Sequence, residues 1–350
     1  MGAARIRGVA LPDGEVVDLY ADADRWTRER VANAELVGEG WLVPGLVDVH
    51  THPGAAAPGD LFDEKRLRED LHRHVEAGVT LIRSPGLAGT APGWFGVEPD
   101  VPRALHAGPW ISQPGQFFES WGRKASLVEM PALAAAQARL TAWVKIIVDW
   151  GPEDPVIPLA TMRDIVTAVH AEGARVAVHS QNVEGSNVAV AAGVDSLEHG
   201  VHLDPDRLTS MAQRGIALVP TLATFLSALD ELRDTPMNVR GRWFVEGARA
   251  HPGLVRAAHE AGVTVLAGTD SHPTGTIGEE ILALWRAGMP AHDALGAGSW
   301  VARRYLGLEG LVEGAPADAV VYDLDPRFDL EELRRPRAVV LRGELRYRRA

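Results

Sequence analysis

Short apolar runs rich in β-branched residues alternate along this chain with longer stretches in which apolar positions recur every three or four residues. The first pattern is typical of buried strands and the second of amphipathic helices packed against them. From about residue 41 onward, eight strand–helix units follow one another, and their candidate strands cover 41–50, 79–84, 109–112, 143–149, 175–180, 194–199, 216–221 and 263–270. Eight such units predict an α/β fold in the form of a (β/α)8 TIM barrel.

The two ends of the chain carry hairpin-like patterns in place of the strand–helix repeat. Neither "GVALPDGEVVDLY" near the start nor "AVVLRGELRY" near the end can bury its apolar face alone, because an isolated hairpin is marginal in water. We therefore expect both termini, residues 1–42 and 309–350, to form one small β-sandwich-like domain beside a barrel of residues 43–308. A Pro- and Gly-rich section, 84–116, is expected to form a long loop system over one barrel face.

Composition and charge narrow the classes of function. The 350 residues include 47 acidic and 35 basic side chains, for a net charge of −12, and no basic patch suited to a phosphate backbone is evident. No apolar run approaches the roughly 20 residues of a membrane span, and the start lacks the apolar core of a signal peptide. We therefore expect a cytoplasmic protein with a small-molecule substrate and with neither nucleic acid nor a membrane as partner, while a homo-oligomer is left open. Because the chain has no cysteine, any metal must be held by His, carboxylate or less usual ligands.

Two histidines, His50 and His52, end the first candidate strand in "VPGLVDVHTHP". Residues two apart on a strand share a face, and barrel enzymes place their chemistry at the C-terminal strand ends, so this pair indicates a divalent metal site. The alternative is one buried, hydrogen-bonded histidine and one loop histidine. His72 and His74 have the same spacing but lie in a helical pattern, where residues two apart point in different directions, and we expect no metal there.

Other candidate strands also end on side chains that can bind a metal, namely His179, His199 and Asp270. The strand ends of a barrel would bring all of them together. In the fourth candidate strand, "WVKIIVDW" places Lys145 among apolar residues, where a lysine is seldom buried without a partner. Either a carboxylate pairs with this lysine, or burial keeps the amine neutral so that it takes up carbon dioxide. The resulting carbamate could bridge two metals, which would make Lys145 a ligand.

The chain resembles the amidohydrolase superfamily in segments that occur in the same order and spacing, namely "VPGLVDVHTHP", "EAGVTLIR", "WVKII", "VAVHS", "AAGVDSLEHGVHLD", "GIALVPTL" and "AGVTVLAGTDSHP". The similarity covers residues 40–325 and is greatest to the subgroup of prolidase-like dipeptidases and imidazolonepropionases. The resemblance implies two divalent metal ions bridged by carboxylated Lys145. One metal would be bound by His50, His52 and Asp270, and the second by His179 and His199.

The same resemblance implies the chemistry of the site. Zinc is the expected metal because imidazole ligands suit it, with manganese or cobalt as substitutes. A hydroxide between the metals would attack an amide or peptide C–N bond of a small substrate, such as a dipeptide, an N-acyl amino acid or a cyclic amide. Asp270 would serve as the general base and then the general acid. Hydrolysis of an ester, lactone or phosphoester stays open, as does a mononuclear imidazolonepropionase-like enzyme, although that branch lacks the lysine of strand four. An inactive scaffold is disfavoured because all six expected ligands are present.

Some positions depart from the family pattern and bear on the substrate. Gln116 stands where relatives often carry a histidine, Ser84 follows Arg83 where an Asp is common, and His272 is an extra imidazole. We consider Gln116, His272 and Arg83 as substrate-binding candidates, with loop residues that never meet the ligand as the alternative. Deaminase branches need a Glu at position 182, which is Asn here, so deamination is disfavoured. The Trp-rich stretches "PGWFG" and "ESWGR" either line an apolar pocket or pack on the barrel rim.

Overall fold

The computed structural model describes residues 3–232 and 236–349, so residues 1, 2 and 350 of the predicted terminal domain lie outside the described part. Its strands are β1 (Ala4–Ala10), β2 (Glu15–Asp22), β3 (Arg25–Thr27), β4 (Glu35–Pro44), β5 (Leu46–Asp48), β6 (Val79–Ser84), β7 (Arg103–His106), β8 (Ile111–Ser112), β9 (Arg123–Lys124), β10 (Trp143–Ile147), β11 (Arg175–Ser180), β12 (Ser196–His199), β13 (Ala217–Val219), β14 (Ala319–Tyr322), β15 (Ala338–Leu341) and β16 (Glu344–Arg348). Its α-helices are α1 (Glu64–Glu76), α2 (Met130–Ala138), α3 (Leu159–Ala171), α4 (Val183–Ala192), α5 (Leu208–Arg214), α6 (Leu222–Glu231), α7 (Val239–Glu260), α8 (Ile277–Arg286), α9 (Ala291–Ala297) and α10 (Trp300–Tyr305). The predicted α/β class is confirmed.

Strands from both ends of the chain lie in one mixed sheet, in the order β16-β15-β14-β4-β1-β2-β3. Alternate side chains of β14 enter two different cores, Val320 and Tyr322 on one face and Ala319 and Val321 on the other. Burial of both faces explains why "AVVY" has no polar position of the kind that a half-exposed strand shows. The division into two domains stays a prediction, and its boundary after residue 42 falls inside β4.

Parallel strands form two further sheets, β5-β6-β7 and β13-β12-β11-β10-β8-β9. The segment 264–270 connects them. Leu218 of β13 exchanges two backbone hydrogen bonds of 2.9 Å with this segment, and Asp270 N donates to His50 O, just after β5, at 2.7 Å. The predicted eighth strand is thus represented by a single bridge, Leu218 to Val265, with these flanking bonds. Closure of all eight units into one barrel stays a prediction.

The first candidate strand, 41–50, divides at Gly45 into β4 and β5. Pro44 lacks an N–H for a sheet ladder, and a Cβ at Gly45 would lie 2.0 Å from Thr80 Oγ1, so the backbone here packs directly on β6. Within the predicted loop system, "RALH" forms β7, which was not predicted because its residues show no apolar alternation. The third candidate strand shortens to the two residues of β8.

Side-chain caps mark where helices beside the parallel strands begin. Asp63 accepts from Arg66 N at 2.7 Å before α1, and Asn182 accepts from Gly185 N at 2.7 Å before α4. Asn182 therefore starts the helix that follows β11, three residues beyond His179. Among the described residues, no helix combines the length and the apolar character needed to cross a bilayer.

Candidate metal centre

A compact group of ligand atoms lies where β5 and the segment 264–270 end. Nε2 of His50 is 3.1 Å from Nε2 of His52, and Oδ1 of Asp270 is 3.8 Å and 3.5 Å from these two atoms. The ligand atoms of the three residues all lie within 4.8 Å of one another. Two imidazoles and a carboxylate at this spacing suit a zinc-like cation.

The other predicted ligands face the same cavity. The ring centroids of His179 and His199 are 4.6 Å apart, and the His199 ring is 5.0 Å from that of His50. Lys145 is 1% exposed, and like the five other predicted ligands it lines the cavity. Nζ of Lys145 and Nε2 of His179 are buried and have no hydrogen-bond partner among the described residues. Buried polar atoms are nearly always partnered, so these two atoms fit a metal or a modified group in the cavity.

Three of the histidines are oriented by acceptors on the protein. Nδ1 of His50 lies 2.6 Å from Glu198 Oε2, and Nδ1 of His52 lies 2.7 Å from Gly86 O. Nδ1 of His199 lies 2.9 Å from the hydroxyl oxygen of Thr221. An Nδ1–H that donates outward leaves the Nε2 lone pair facing the cavity, which is the arrangement of histidines that bind metals.

Glu198 is the centre of a fully buried charge network. Arg83 donates through Nη2 to both carboxylate oxygens at 2.9 Å and 2.8 Å, and Ser196 Oγ donates at 2.5 Å. Burial by itself raises the pKa of Glu198, but the charges of Arg83 and Lys145 outweigh it and hold the pKa below its ordinary value. The remaining described bonds of Arg83 go to Val49 O and Ser196 Oγ. All the described hydrogen bonds of Arg83 are thus made to buried protein atoms. This geometry does not support a contact between Arg83 and a substrate.

Burial disfavours the charged form of the groups at the centre. It lowers the pKa of Lys145 to about 7 and raises that of Asp270 to about 7. Burial also holds the pKa values of His50, His179 and His199 well below 6.5. Neutral imidazoles are the form that binds a metal, and a neutral amine is the form that reacts with carbon dioxide.

Strained backbone is concentrated at this place. His199, Thr221 and Asp270 adopt φ values of 66°, 49° and 49°, in the left-handed region. Such conformations cost a non-glycine residue about 1–2 kcal/mol, and they persist where the surrounding structure requires them, often at functional sites. Here they place the end of β12, the start of α6 and the end of the segment 264–270 around one cavity.

The candidates for substrate binding differ in their placement. His272 lines the cavity, whereas Gln116 is 3% exposed and donates from Nε2 to Pro155 O at 2.6 Å. Ser84 donates to Gly86 O at 2.8 Å, so it helps to hold the carbonyl that orients His52.

The helix pair belongs neither to the compact group of ligand atoms nor to the cavity lining, although His74 contacts Thr51, which lies between His50 and His52. His72 is 3.2 Å from Asp100, and His74 Nε2 is 3.1 Å from Thr51 Oγ1.

Sequence reasoning missed two features of the centre. The first is Glu198, whose only signal was an acidic residue inside the buried strand "SLEH". The second is an aromatic side of the cavity, formed by Trp110, Phe117, Phe118, Trp121 and Trp150. Of these five residues, only Trp121 belongs to the Trp-rich stretches considered above. The density of aromatic residues in "GPWISQPGQFFESW" is the sequence signal that indicates Trp110, Phe117 and Phe118. Trp94 of "PGWFG" instead packs against Arg68, whose guanidinium carbon lies 4.2 Å from the centroid of the Trp94 ring. Trp94 also donates a hydrogen bond from Nε1 to Glu64.

Comparison with known proteins agrees with this geometry. Residues 41–346 match the Amidohydrolase family. An uncharacterised protein of Mycobacterium tuberculosis is 36% identical over 97% of this chain and 94% of its own length, and an imidazolonepropionase of Stenotrophomonas maltophilia is 25% identical over 94% and 89%. The crystal structure of a Xaa-Pro dipeptidase with bound methionine has the same fold, with a TM-score of 0.82, 20% identity and coverage of 99% and 100%. The chain therefore belongs to the amidohydrolase family, as its motifs predicted, and is a hydrolase of that family.

Proposed function

We propose that the protein is a binuclear metal-dependent amidohydrolase that cleaves an amide or peptide C–N bond in a small molecule. The observation that carries this proposal is the environment of Lys145. Its Nζ is buried without a hydrogen-bond partner among the described residues, in a cavity that four histidines and Asp270 also line. Candidate substrates are dipeptides, N-acyl amino acids and cyclic amides, and the similarity to a solved dipeptidase supports a peptide-type bond.

Carboxylation of Lys145 explains how a lysine belongs in such a cavity. The neutral amine attacks carbon dioxide, so that a C–N bond forms as one C=O π bond opens, the nitrogen loses one proton to water, and an anionic carbamate results. An unmodified ammonium would instead repel cations held by the neighbouring histidines. Together with carboxylated Lys145, the residues His50, His52 and Asp270 would hold one divalent ion, and His179 and His199 would hold a second.

Each side chain has a task in the proposed reaction. When bound, divalent metal ions, zinc above all, lower the pKa of water towards neutrality and polarise the substrate carbonyl. Asp270 Oδ1, 3.5 Å from His52 Nε2, takes the proton of the attacking water and passes it to the departing amine. Glu198, Gly86 and Thr221 hold three imidazoles in the required orientation. The reaction consumes one water and yields a carboxylic acid and an amine.

A mononuclear hydrolase is the second candidate. It is favoured by the compactness of the group formed by His50, His52 and Asp270, which suits one cation. In this case Lys145 stays unmodified. The two candidates differ in the number of ions per chain and in the consequence of removing Lys145.

Metal analysis combined with a substrate panel tests the proposal. The protein, purified without chelator and supplied with zinc and bicarbonate, is expected to hold two divalent ions per chain and to hydrolyse at least one dipeptide, N-acyl amino acid or cyclic amide. Lys145→Ala should lose at least one ion and reduce activity by more than roughly a hundredfold. The matched control is Lys65→Ala, since the Lys65 side chain is 88% exposed and its removal should change neither quantity.

Small carboxylates separate the two candidates further. Acetate or propionate at high concentration should partly restore metal and activity in Lys145→Ala by filling the gap left by the carbamate. Lys145→Arg should not respond, because guanidinium keeps its charge and cannot take up carbon dioxide. Full activity with one ion per chain would establish the mononuclear candidate, and a chain without metal or hydrolysis would be a scaffold.

A further inference from the structure

One side of the cavity is built almost entirely from aromatic rings. We call Trp110, Phe117, Phe118, Trp121 and Trp150 the aromatic wall; all five line the cavity that holds the predicted metal ligands. Trp110 and Trp121 stack with centroids 4.7 Å apart and planes within 3°. Phe117 and Phe118 meet Trp150 edge to face, each at 5.1 Å. The rings therefore form one continuous surface rather than isolated contacts.

The wall extends along the metal centre. Trp110 lies 5.0 Å from the ring of His52, and Trp150 lies 5.4 Å from the ring of His179. These two histidines belong to the two halves of the proposed ligand set. A substrate whose scissile bond lies between them can place a neighbouring group against the wall.

The loop that carries four of the five rings of the wall is held in place by polar contacts. Lys124 donates from Nζ to Gln116 O and Phe118 O, both at 2.9 Å, and to Ser112 Oγ at 3.2 Å. Trp121 donates from Nε1 to Asp60 O at 2.6 Å. The rings are thus preorganised, which lowers the conformational entropy that the protein loses when a ligand binds.

Phe117 shows that ring placement outweighs local backbone preference. Its φ is 62°, in the left-handed region, which is unfavourable for a bulky residue. The conformation directs its ring to Trp110 at 5.4 Å and to Trp150, while Phe117 and Phe118 both stay only partly buried. Partly exposed rings inside a cavity are surfaces that a ligand can cover.

We propose that the substrate is an amide that carries a flat aromatic group, which packs against the aromatic wall, and that Phe117 and Phe118 determine this specificity. The inference rests on the proposed function, since it names the substrate class of the same site. Aromatic pairs contribute about 0.5–1.5 kcal/mol beyond the burial of area, which corresponds to a preference of roughly two- to tenfold over a saturated group of similar size.

A binding experiment tests this independently of turnover. Metal-loaded protein is titrated calorimetrically with 2-naphthamide and with its saturated analogue, decahydronaphthalene-2-carboxamide. We expect 2-naphthamide to bind roughly two- to tenfold more tightly. Phe117→Leu and Phe118→Leu keep an apolar side chain but remove one ring, and each should reduce the preference. Phe328→Leu is the matched control, because Phe328 is 89% exposed and lies outside the cavity lining.

The outcomes for the wall and for the reaction can be told apart. Three results would overturn the role of the wall. They are equal affinity of the unsubstituted protein for the two probes, no binding of either probe, and an undiminished preference in both Phe variants. The hydrolysis counterpart compares benzoylglycinamide with cyclohexanecarbonylglycinamide, and we expect the higher kcat/KM for the aromatic compound. A protein that prefers 2-naphthamide but cleaves neither compound, nor any dipeptide, N-acyl amino acid or cyclic amide of the substrate panel, would retain the wall as an aromatic binding surface and contradict the proposed function.

Discussion

Oε2 of Glu198 lies 2.6 Å from Nδ1 of His50, and the same oxygen accepts from Nη2 of Arg83 at 2.8 Å. All three side chains are at most 1% exposed. Glu198 therefore has two roles. It fixes the orientation of a metal-ligand candidate, and it neutralises an arginine that has no access to water.

Glu198→Gln should lower the free energy of unfolding of the metal-free protein by about 3–5 kcal/mol, because it leaves Arg83 as an uncompensated buried charge. Chemical denaturation of protein stripped with a chelator measures this. Glu39→Gln is the control, since the pair of Glu39 with Arg7 is half-exposed and should contribute about 1 kcal/mol or less. Equal effects of the two substitutions would show that the buried network does not stabilise the fold.

Thr221→Val should weaken metal binding about tenfold or more, because it removes the oxygen that accepts from His199 Nδ1 while it keeps the size and β-branching of the side chain. Competition with a chromogenic chelator gives the affinity. Thr141→Val also removes a hydroxyl with backbone partners, but it lies away from the cavity and should leave the affinity unchanged. Unaltered affinity in Thr221→Val would mean that this contact does not orient His199.

His50→Ala and His199→Ala should each lower metal content and activity together, since each removes a proposed ligand. His72→Ala should change neither, because His72 pairs with Asp100 on the helix surface. His74→Ala should destabilise the fold, as His74 is fully buried, but should leave the number of ions per chain intact in the folded fraction. If His72→Ala reduced metal content as much as His50→Ala, the site would be wrongly placed.

Glu280 should make stability depend on pH. It accepts from the N–H groups of Leu222 and Ala223 at 3.0 Å and 2.7 Å, and burial, with a smaller contribution from Asp48, raises its pKa from 4.5 to about 8. The folded chain therefore holds a proton that the unfolded chain releases, so the free energy of unfolding should fall as the pH rises from 4.5 to 8. Glu280→Gln resembles the protonated carboxyl and should flatten this decline.

Urea denaturation at pH 5 and pH 8 checks the slope. Asp149, whose pKa burial raises to about 7, contributes to the slope in both proteins, so the difference between them isolates Glu280. Glu279→Gln is the neighbouring control, because Glu279 is 44% exposed and paired with Arg334. A slope in Glu280→Gln as steep as in the unsubstituted protein would contradict a protonated Glu280.

The sequence by itself determined the α/β class, the amidohydrolase family and the positions of the candidate ligands. The reason is local: strand periodicity puts His50 and His52 on one face, and a parallel strand directs its C-terminal residue to the same edge as its neighbours. Lys145 could be singled out from the sequence because the apolar run "WVKII" is expected to be buried, and a lysine is seldom buried unless it has a partner or is modified.

Only the tertiary structure decided which groups support those ligands. Glu198 meets His50 across 148 positions and Arg83 across 115, and no short-range pattern encodes which buried acid will face which histidine. The aromatic wall likewise depends on the left-handed conformation of Phe117 and on its contact with Trp150, which follows β10 in a different strand–helix unit. Local periodicity specifies the face on which a residue lies, whereas its partner is set by how distant segments pack, and in this protein those partners orient the histidines and shape the cavity.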